Sequence, residues 1–515
     1  MHHPLGAFFE QHGEHRLTFS RLFYFADIRY FDGRNVVLLA SNLALATLLA
    51  LTFYRVTVRQ TALSRSQRAG LAGAILLVTF SWKQNENFTW GFQNQWFAVY
   101  LFALCAFHAV DVCAEAQASG NLRRANGWLL TAIGSACVAS YSMSSGVIVF
   151  PILLAQALFR RISLPRSGAV LVAGMFVFLA YFDNWHAAAG DGSLGTQLRD
   201  HPAGIIRYTL LYLGAPANNA AFQPVITYTF GIVVTLGLIV QCTRLTGRLC
   251  TTIKAPSLLA LAVFVAMTAL VTACGRLAIG LDSALVSRYT TASLACWLAL
   301  AIFSALNACS ERERRIVLIM SALAMVLLIA FQPTALNDDR ELTYSRDIAG
   351  LALRAHVYDP TTTQAIYPFP DRLTVTAKAA EAAHLSLFSP DQTDYYVAPR
   401  HIVTGAACAG YIDSVSSTST PGLIMATGWI YNAALHSVPR SIVITDTSGV
   451  TLGSGIAGGR RDDISQLFGS TARYSQWTVF AKAPPGTLIH AHGALAGNTF
   501  CTLAEAKQVT VGERQ

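Results

Sequence analysis

Apolar runs separated by short polar loops fill the first two thirds of the chain. They fall near 35–53, 69–82, 96–112, 128–143, 145–159, 167–182, 223–242, 256–278, 292–307 and 317–331. A membrane-spanning helix needs about 20 mostly apolar residues, so the shorter runs are expected to extend into their loops. A further piece, LLYLGAPANNAAF after Thr209, contains Gly, Pro and Asn and reads as re-entrant or interfacial. The pattern predicts a polytopic α-helical membrane protein with about 10–11 transmembrane helices.

Beyond residue 331 the pattern changes. SIVITDTSGVTLGSG (441–455) reads as strand, turn, strand, and MATGWIYN, WTVFAKAP and TLIHAHGAL read as further strands. The stretch LTVTAKAAEAAHL predicts a helix joining the two parts. The organisation expected is a first extracytoplasmic loop (1–34), a helical membrane domain (35–331), a mixed linker (332–400) and a C-terminal extracytoplasmic β-sandwich (401–515).

Composition sharpens this. Charged residues are 13% of the 515, where a soluble domain has about a quarter. The net charge of +9 sits in alternate loops: Arg55, Arg59, Arg65 and Arg68; Arg123 and Arg124; Arg160, Arg161 and Arg166; Arg244, Arg248 and Lys254; Arg312, Arg314 and Arg315. That is the positive-inside bias of cytoplasmic loops, so the charge reports topology and no nucleic-acid partner is expected. If all ten runs cross, the other side receives 1–34, 83–95, 143–145, 183–222, 279–291 and everything after 331. An outside N-terminus with no signal pattern before residue 35 predicts a late start, with a first helix missing before Met1.

Of ten cysteines, eight are scattered through the membrane part and no CxxC occurs. Cys408 and Cys501 are the only two in the tail. An extracytoplasmic compartment permits a disulfide between them, clipping the first and last strands; two free buried thiols are the alternative.

The spans hold few ionisable groups, His108 and Asp111 near a cytoplasmic end being the main ones, which counts against an ion-coupled transporter. Unusual chemistry gathers in the outside loops. The first carries Glu10, Glu14, His15, Arg16, Asp27, Arg29 and Asp32, and its segment RLFYFADIRYF (21–31) is expected to lie along the membrane. The second, KQNENFTWGFQNQW (83–96), sets Lys83, Glu86 and amides including Asn87 and Gln93 among Phe88, Trp90, Phe92 and Trp96. Rings can stack on a pyranose face while amides bond its hydroxyls; an interfacial aromatic belt is the simpler reading. GRLAIGLDSALVSRYTT (275–291) places Arg276, Asp282, Arg288 and Tyr289 at outer helix ends, where arginine can bind a lipid phosphate or merely reach the headgroups. The small residues of ASYSMSSGVIVFP (139–151) are expected to serve close packing. DNWHAAAGDG (183–192) matches no metal template and reads as a loop over the cavity, and GSGIAGGRRDD (453–463) reads as a turn.

This plan, with its GEHR and SRY segments, resembles the GT-C superfamily of membrane glycosyltransferases, and more narrowly bacterial transferases that decorate O-antigen, lipopolysaccharide or other cell-envelope glycans. The resemblance spans residues 1 to about 331. It implies a bacterial inner-membrane enzyme, its C-terminal domain periplasmic, that moves a sugar from a polyprenyl-phosphate donor to a glycan or lipid acceptor. Glu14 would be the general base, with Asp27 second. Arg288, Arg276, Lys83 and Arg16 would hold the donor phosphate; His15, Glu86, Asn87, Trp90, Gln93 and Tyr289 would line the sugar or acceptor site. The first loop departs from the family's metal-dependent members in lacking an Asp-Glu or Asp-x-Asp pair. No cofactor or metal ligand set is assigned, and a divalent metal is left open. The tail would resemble a carbohydrate-binding or lid-like sandwich. Other readings are a polysaccharide polymerase or ligase, a flippase or transporter for lipid-linked glycans, and a scaffold presenting the tail.

Overall fold

The computed structural model describes residues 4–186, 194–219, 224–246, 253–336, 339–367, 369–389, 404–495 and 499–510. The chain divides into two compact units, the first Met1–Phe31 with Asn35–Leu336, the second Asp32–Arg34 with Asn337–Gln515.

In the first unit every apolar run lies on a helix. These are Val36–Gln60, Arg65–Thr79, Asn94–Ala118, Leu122–Ser140, Val149–Phe159, Leu164–Phe182, Val225–Thr246, Pro256–Arg276, Thr290–Leu306 and Glu311–Ala330. Among the described residues, 6 helices are long and apolar enough to cross a membrane, which makes this a multi-pass membrane protein. The count is lower than the number of runs for physical reasons. At about 1.5 Å per residue, Arg65–Thr79 and Val149–Phe159 fall short of a hydrocarbon core about 30 Å thick. Leu122–Ser140 begins with two arginines, and Glu311–Ala330 begins with the charged turn ERERR.

The helix Asn94–Ala118 is the central element. Phe97, Tyr100, Leu104 and Phe107 along it are fully buried. The outer helices show the reverse. Phe176 is 72% exposed and Val326 60%, apolar surface that a bilayer solvates and water would not.

Helix ends are satisfied by design of the sequence. Ser64 and Gln67 form a capping box, and Ser310 Oγ accepts the Glu313 N–H at 3.1 Å. Where a helix end is buried, a carboxylate arrives from another helix. Asp111 accepts the Ser257 N–H at 3.1 Å at the start of Pro256–Arg276, and its other oxygen accepts from Gln156 at 3.0 Å. The small residues of 139–151 do allow close approach: a Cβ on Gly146 would lie 2.0 Å from the Ala139 carbonyl oxygen, so only glycine fits.

In the second unit the strands are β1 (Thr404–Ser417), β2 (Leu423–Tyr431), β3 (Ser441–Thr445), β4 (Thr451–Gly459), β5 (Gln476–Lys482), β6 (Leu488–Ala494), β7 (Phe500–Leu503) and β8 (Lys507–Gln508). They form a barrel, which corrects the expected sandwich. The order β3-β4-β5-β2-β1-β7-β6 closes because β3 also pairs β6, Val443 opposite His492, while β8 is a short addition to β6. Closure removes the free edges that an open sheet leaves. Alternation alone could not distinguish the two, since both bury every second residue. Trp477, Ile442, Ile444, Val479 and Ile489 fill the interior. The glycine-rich run from 453 is strand β4, not a turn, paired to β3 and β5 on its two sides. The helix Asp339–Arg354 lays Ile348, Leu351 and Ala352 over Leu423, Ile456 and Phe480.

Cys408 and Cys501 are disulfide-bonded, Cα atoms 5.3 Å apart. They tie β1 to β7, the barrel's one parallel pair. The link spans 93 residues of chain, so it removes much freedom from the unfolded barrel. Cys501→Ala is expected to destabilise the barrel by about 2–5 kcal/mol, read as faster cleavage between 404 and 510 in limited proteolysis without reductant. An unchanged cleavage rate would refute this.

Candidate functional site

The site begins with a tight turn. His12 and His15 exchange both backbone hydrogen bonds, at 2.8 and 3.0 Å, so Gly13 and Glu14 form a two-residue hairpin tip. Gly13 has φ +58° and a negative φ follows at Glu14, a combination that favours glycine at the first tip position. The Glu14 carbonyl accepts from Trp185 Nε1 at 3.2 Å and from the Tyr181 hydroxyl at 3.4 Å, which ties the tip to the end of Leu164–Phe182.

Glu14 is ion-paired with Arg276, at the C-terminal end of Pro256–Arg276, both side chains partly exposed. The next residue, His15, is anchored to Ser144. The Ser144 N–H donates to Nδ1 at 3.3 Å and its hydroxyl lies 2.9 Å from the same atom. Nδ1 must then carry the lone pair, which leaves the proton on Nε2. Burial, then the positive Arg276 and His12, push the imidazole pKa down to about 4.

A second group surrounds Arg288. Its backbone N–H donates to Glu86 Oε2 at 3.1 Å, and its guanidinium lies 3.6 Å from the same oxygen. The guanidinium carbon sits 5.4 Å from the Tyr289 ring centre. Asn87 Nδ2 donates to the Arg288 carbonyl at 2.9 Å and to Thr291 Oγ1 at 2.6 Å. Ser287 Oγ lies 2.6 Å from the Asn85 side-chain oxygen and 3.3 Å from the Glu86 nitrogen. Lys83 Nζ donates to the Asn218 carbonyl at 2.7 Å, and burial lowers its pKa. Tyr289 packs between Trp96 and Tyr212, centroids 5.3 and 5.2 Å away.

Tyr208, in the helix Pro202–Gly214, links the two groups. Its hydroxyl lies 3.2 Å from Ser283 Oγ and feels the charges of both Arg276 and Arg288, although burial raises its pKa overall. The sequence signal for it was weak, because the same helix carries Arg207, Thr209 and Tyr212. Ser144 and Thr291 gave none, because isolated hydroxyls are common at helix ends, and Ser287 stood out only as part of the SRY segment.

Two expected site residues are bonded to backbone groups. Asp27 is 1% exposed, and its two oxygens accept the Asn35 and Val37 N–H groups at 2.8 Å each. Asn35 precedes the helix with φ +64° and makes no side-chain cap, so Asp27 caps Val36–Gln60 from the preceding helix. Arg16 gives its guanidinium to the carbonyls of Phe9 (2.6 Å), Tyr181 (2.7 Å) and Asp183, the last two at the end of Leu164–Phe182. Trp90 is 47% exposed, on the rim beside Phe92, and Gln93 is buried. Of the 183–192 loop, Asp191 lies outside the described residues; His186 donates its N–H to Gln11 Oε1 at 3.0 Å.

No family model, curated protein or solved structure matches the chain.

Two outcomes follow. Asp27→Ala is expected to cost about 1–2 kcal/mol through the lost cap, measured as a lower melting temperature in detergent; an unchanged melt would contradict the capping role. His15 has a folded-state pKa below its unfolded value of about 6.5, so the unfolded chain binds the extra proton first. Stability contributed by neutral His15 is present above about pH 6.5 and is lost as pH falls toward about 4. His15→Gln should flatten the melting-temperature profile across that window, and a profile of unchanged slope would count against it.

Proposed function

We propose that this protein is a membrane glycosyltransferase of the GT-C type, moving a sugar from a polyprenyl-phosphate donor to a cell-envelope glycan or lipid acceptor. The observation that supports this reading is the ion pair between Glu14, at the tip of the first-loop hairpin, and Arg276. A carboxylate positioned as a base and a guanidinium able to take a phosphate share one contact, with Arg288 and Glu86 paired nearby.

The two pairs suggest an exchange. The donor phosphate competes for Arg276 and releases the Glu14 carboxylate. Freed Glu14 accepts the proton of the acceptor hydroxyl as its oxygen attacks the anomeric carbon. The bond between that carbon and the phosphate oxygen breaks, and polyprenyl phosphate leaves with its charge held by Arg276 and Arg288. His15, next to Glu14 in the chain and neutral, keeps an Nε2–H to donate, and Lys83 adds positive charge. In this reading the site lies on the periplasmic side of a bacterial inner membrane.

The test is Glu14→Gln against wild type in a deletion host, with membrane levels matched and surface-glycan composition measured. Loss of a general base predicts transfer reduced about 10²- to 10⁴-fold, seen as a missing sugar substituent. A glycan restored to wild type by Glu14→Gln removes Glu14 as the base. A deletion host with unchanged glycan removes the transferase reading itself.

A further inference from the structure

The outer face of the barrel carries Tyr411, Trp429 and Phe468, the last two also packed against the buried Tyr431. Tyr411 on β1 stands directly opposite Trp429 on β2, so their side chains share the outer face as a cross-strand pair. Phe468, which ends the helix Asp462–Phe468, lies 5.8 Å from Trp429 by ring centroids. Tyr411 is 45% exposed and Phe468 36%. The helix Asp339–Arg354 covers Met425, Thr478 and Phe480 farther along the same face but not these rings.

Beside the rings stands a charged network with free capacity. Arg461 bridges Asp413 at 2.6 Å and Asp463 at 2.8 Å, with those carboxylates 40% and 61% exposed. Lys507 Nζ sits 5.6 Å from the Tyr411 ring centre and donates to the Ile412 and Asp413 carbonyls at 2.8 and 2.6 Å. Ser414 and Thr427 share a hydroxyl contact of 2.7 Å on the next cross-strand pair. Each carboxylate oxygen held by arginine keeps a second lone pair for an outside donor.

We infer that this face is a binding platform for a pyranose glycan. The exposed Tyr411 ring suits the C–H face of a sugar, with Trp429 opposite it, and Asp413, Asp463 and the Ser414–Thr427 pair suit its ring of hydroxyls. Both requirements meet on adjacent strands. A purely apolar partner would leave the carboxylates and the hydroxyl pair unmatched. The platform belongs to the second unit alone and needs neither Glu14 nor Arg276.

The experiment is affinity electrophoresis of the full-length protein in detergent through native gels containing dextran, mannan or galactan. Wild type is expected to be retarded in at least one gel. Tyr411→Ala, at an exposed position, should weaken that retention about tenfold, as loss of one stacked ring predicts. Asp463→Asn should weaken it less. Glu14→Gln should be retarded like wild type, which separates this site from the transferase reading. Absence of retardation in all three gels overturns the proposal. So does equal retardation of Tyr411→Ala, with the disulfide confirmed intact by non-reducing gel.

Discussion

An unpaired backbone polar group in apolar surroundings costs more than almost any other local defect. The first unit is organised around avoiding it. Asp27 reaches back to the first N–H groups of Val36–Gln60, Asp111 to the start of Pro256–Arg276, and Arg16 to the last carbonyls of Leu164–Phe182. Each is an ionic side chain in a chain with few of them. Each holds a helix end, Asp27 and Asp111 where they are buried from water and Arg16 nearer the surface.

That commitment sorts the charged residues of the outer loops. Asp27 and Arg16 look, in one dimension, as suited to chemistry as Glu14 and Arg276. In three dimensions their polar atoms are occupied by backbone. Glu14 and Arg276 instead meet each other while remaining partly exposed, as do Glu86 and Arg288. An ion pair in that position is weak enough for an anion to exchange with it. Glu86 also accepts the Arg288 N–H at the approach to Thr290–Leu306, so these pairs differ from Asp27 in their exposure rather than in freedom from helix ends.

The second unit answers the same constraint differently. Strands leave rows of N–H and C=O groups at any open edge. Pairing β3 with both β4 and β6 removes those edges, and the Cys408–Cys501 link fastens the parallel seam between β1 and β7. With the interior filled by Trp477 and its aliphatic neighbours, the outer face is free to carry Tyr411, Trp429 and the arginine–aspartate network.

Much was legible in the sequence because it depends on local pattern. Apolar runs must become helices in a bilayer, so each was readable and each is helical. The strands around 441–455 and the tail cysteines were readable for similar reasons: alternation marks strands, and two cysteines in one compact unit have only each other. Hydropathy could not say which runs are long enough to cross, because helix ends are set by caps outside the run. Alternation could not separate barrel from sandwich, because closure depends on which distant strands pair. The role of each charged loop residue was also invisible, since composition gives Asp27 and Glu14 the same carboxylate. Only the fold brings Val37 N–H to one and the Arg276 guanidinium to the other.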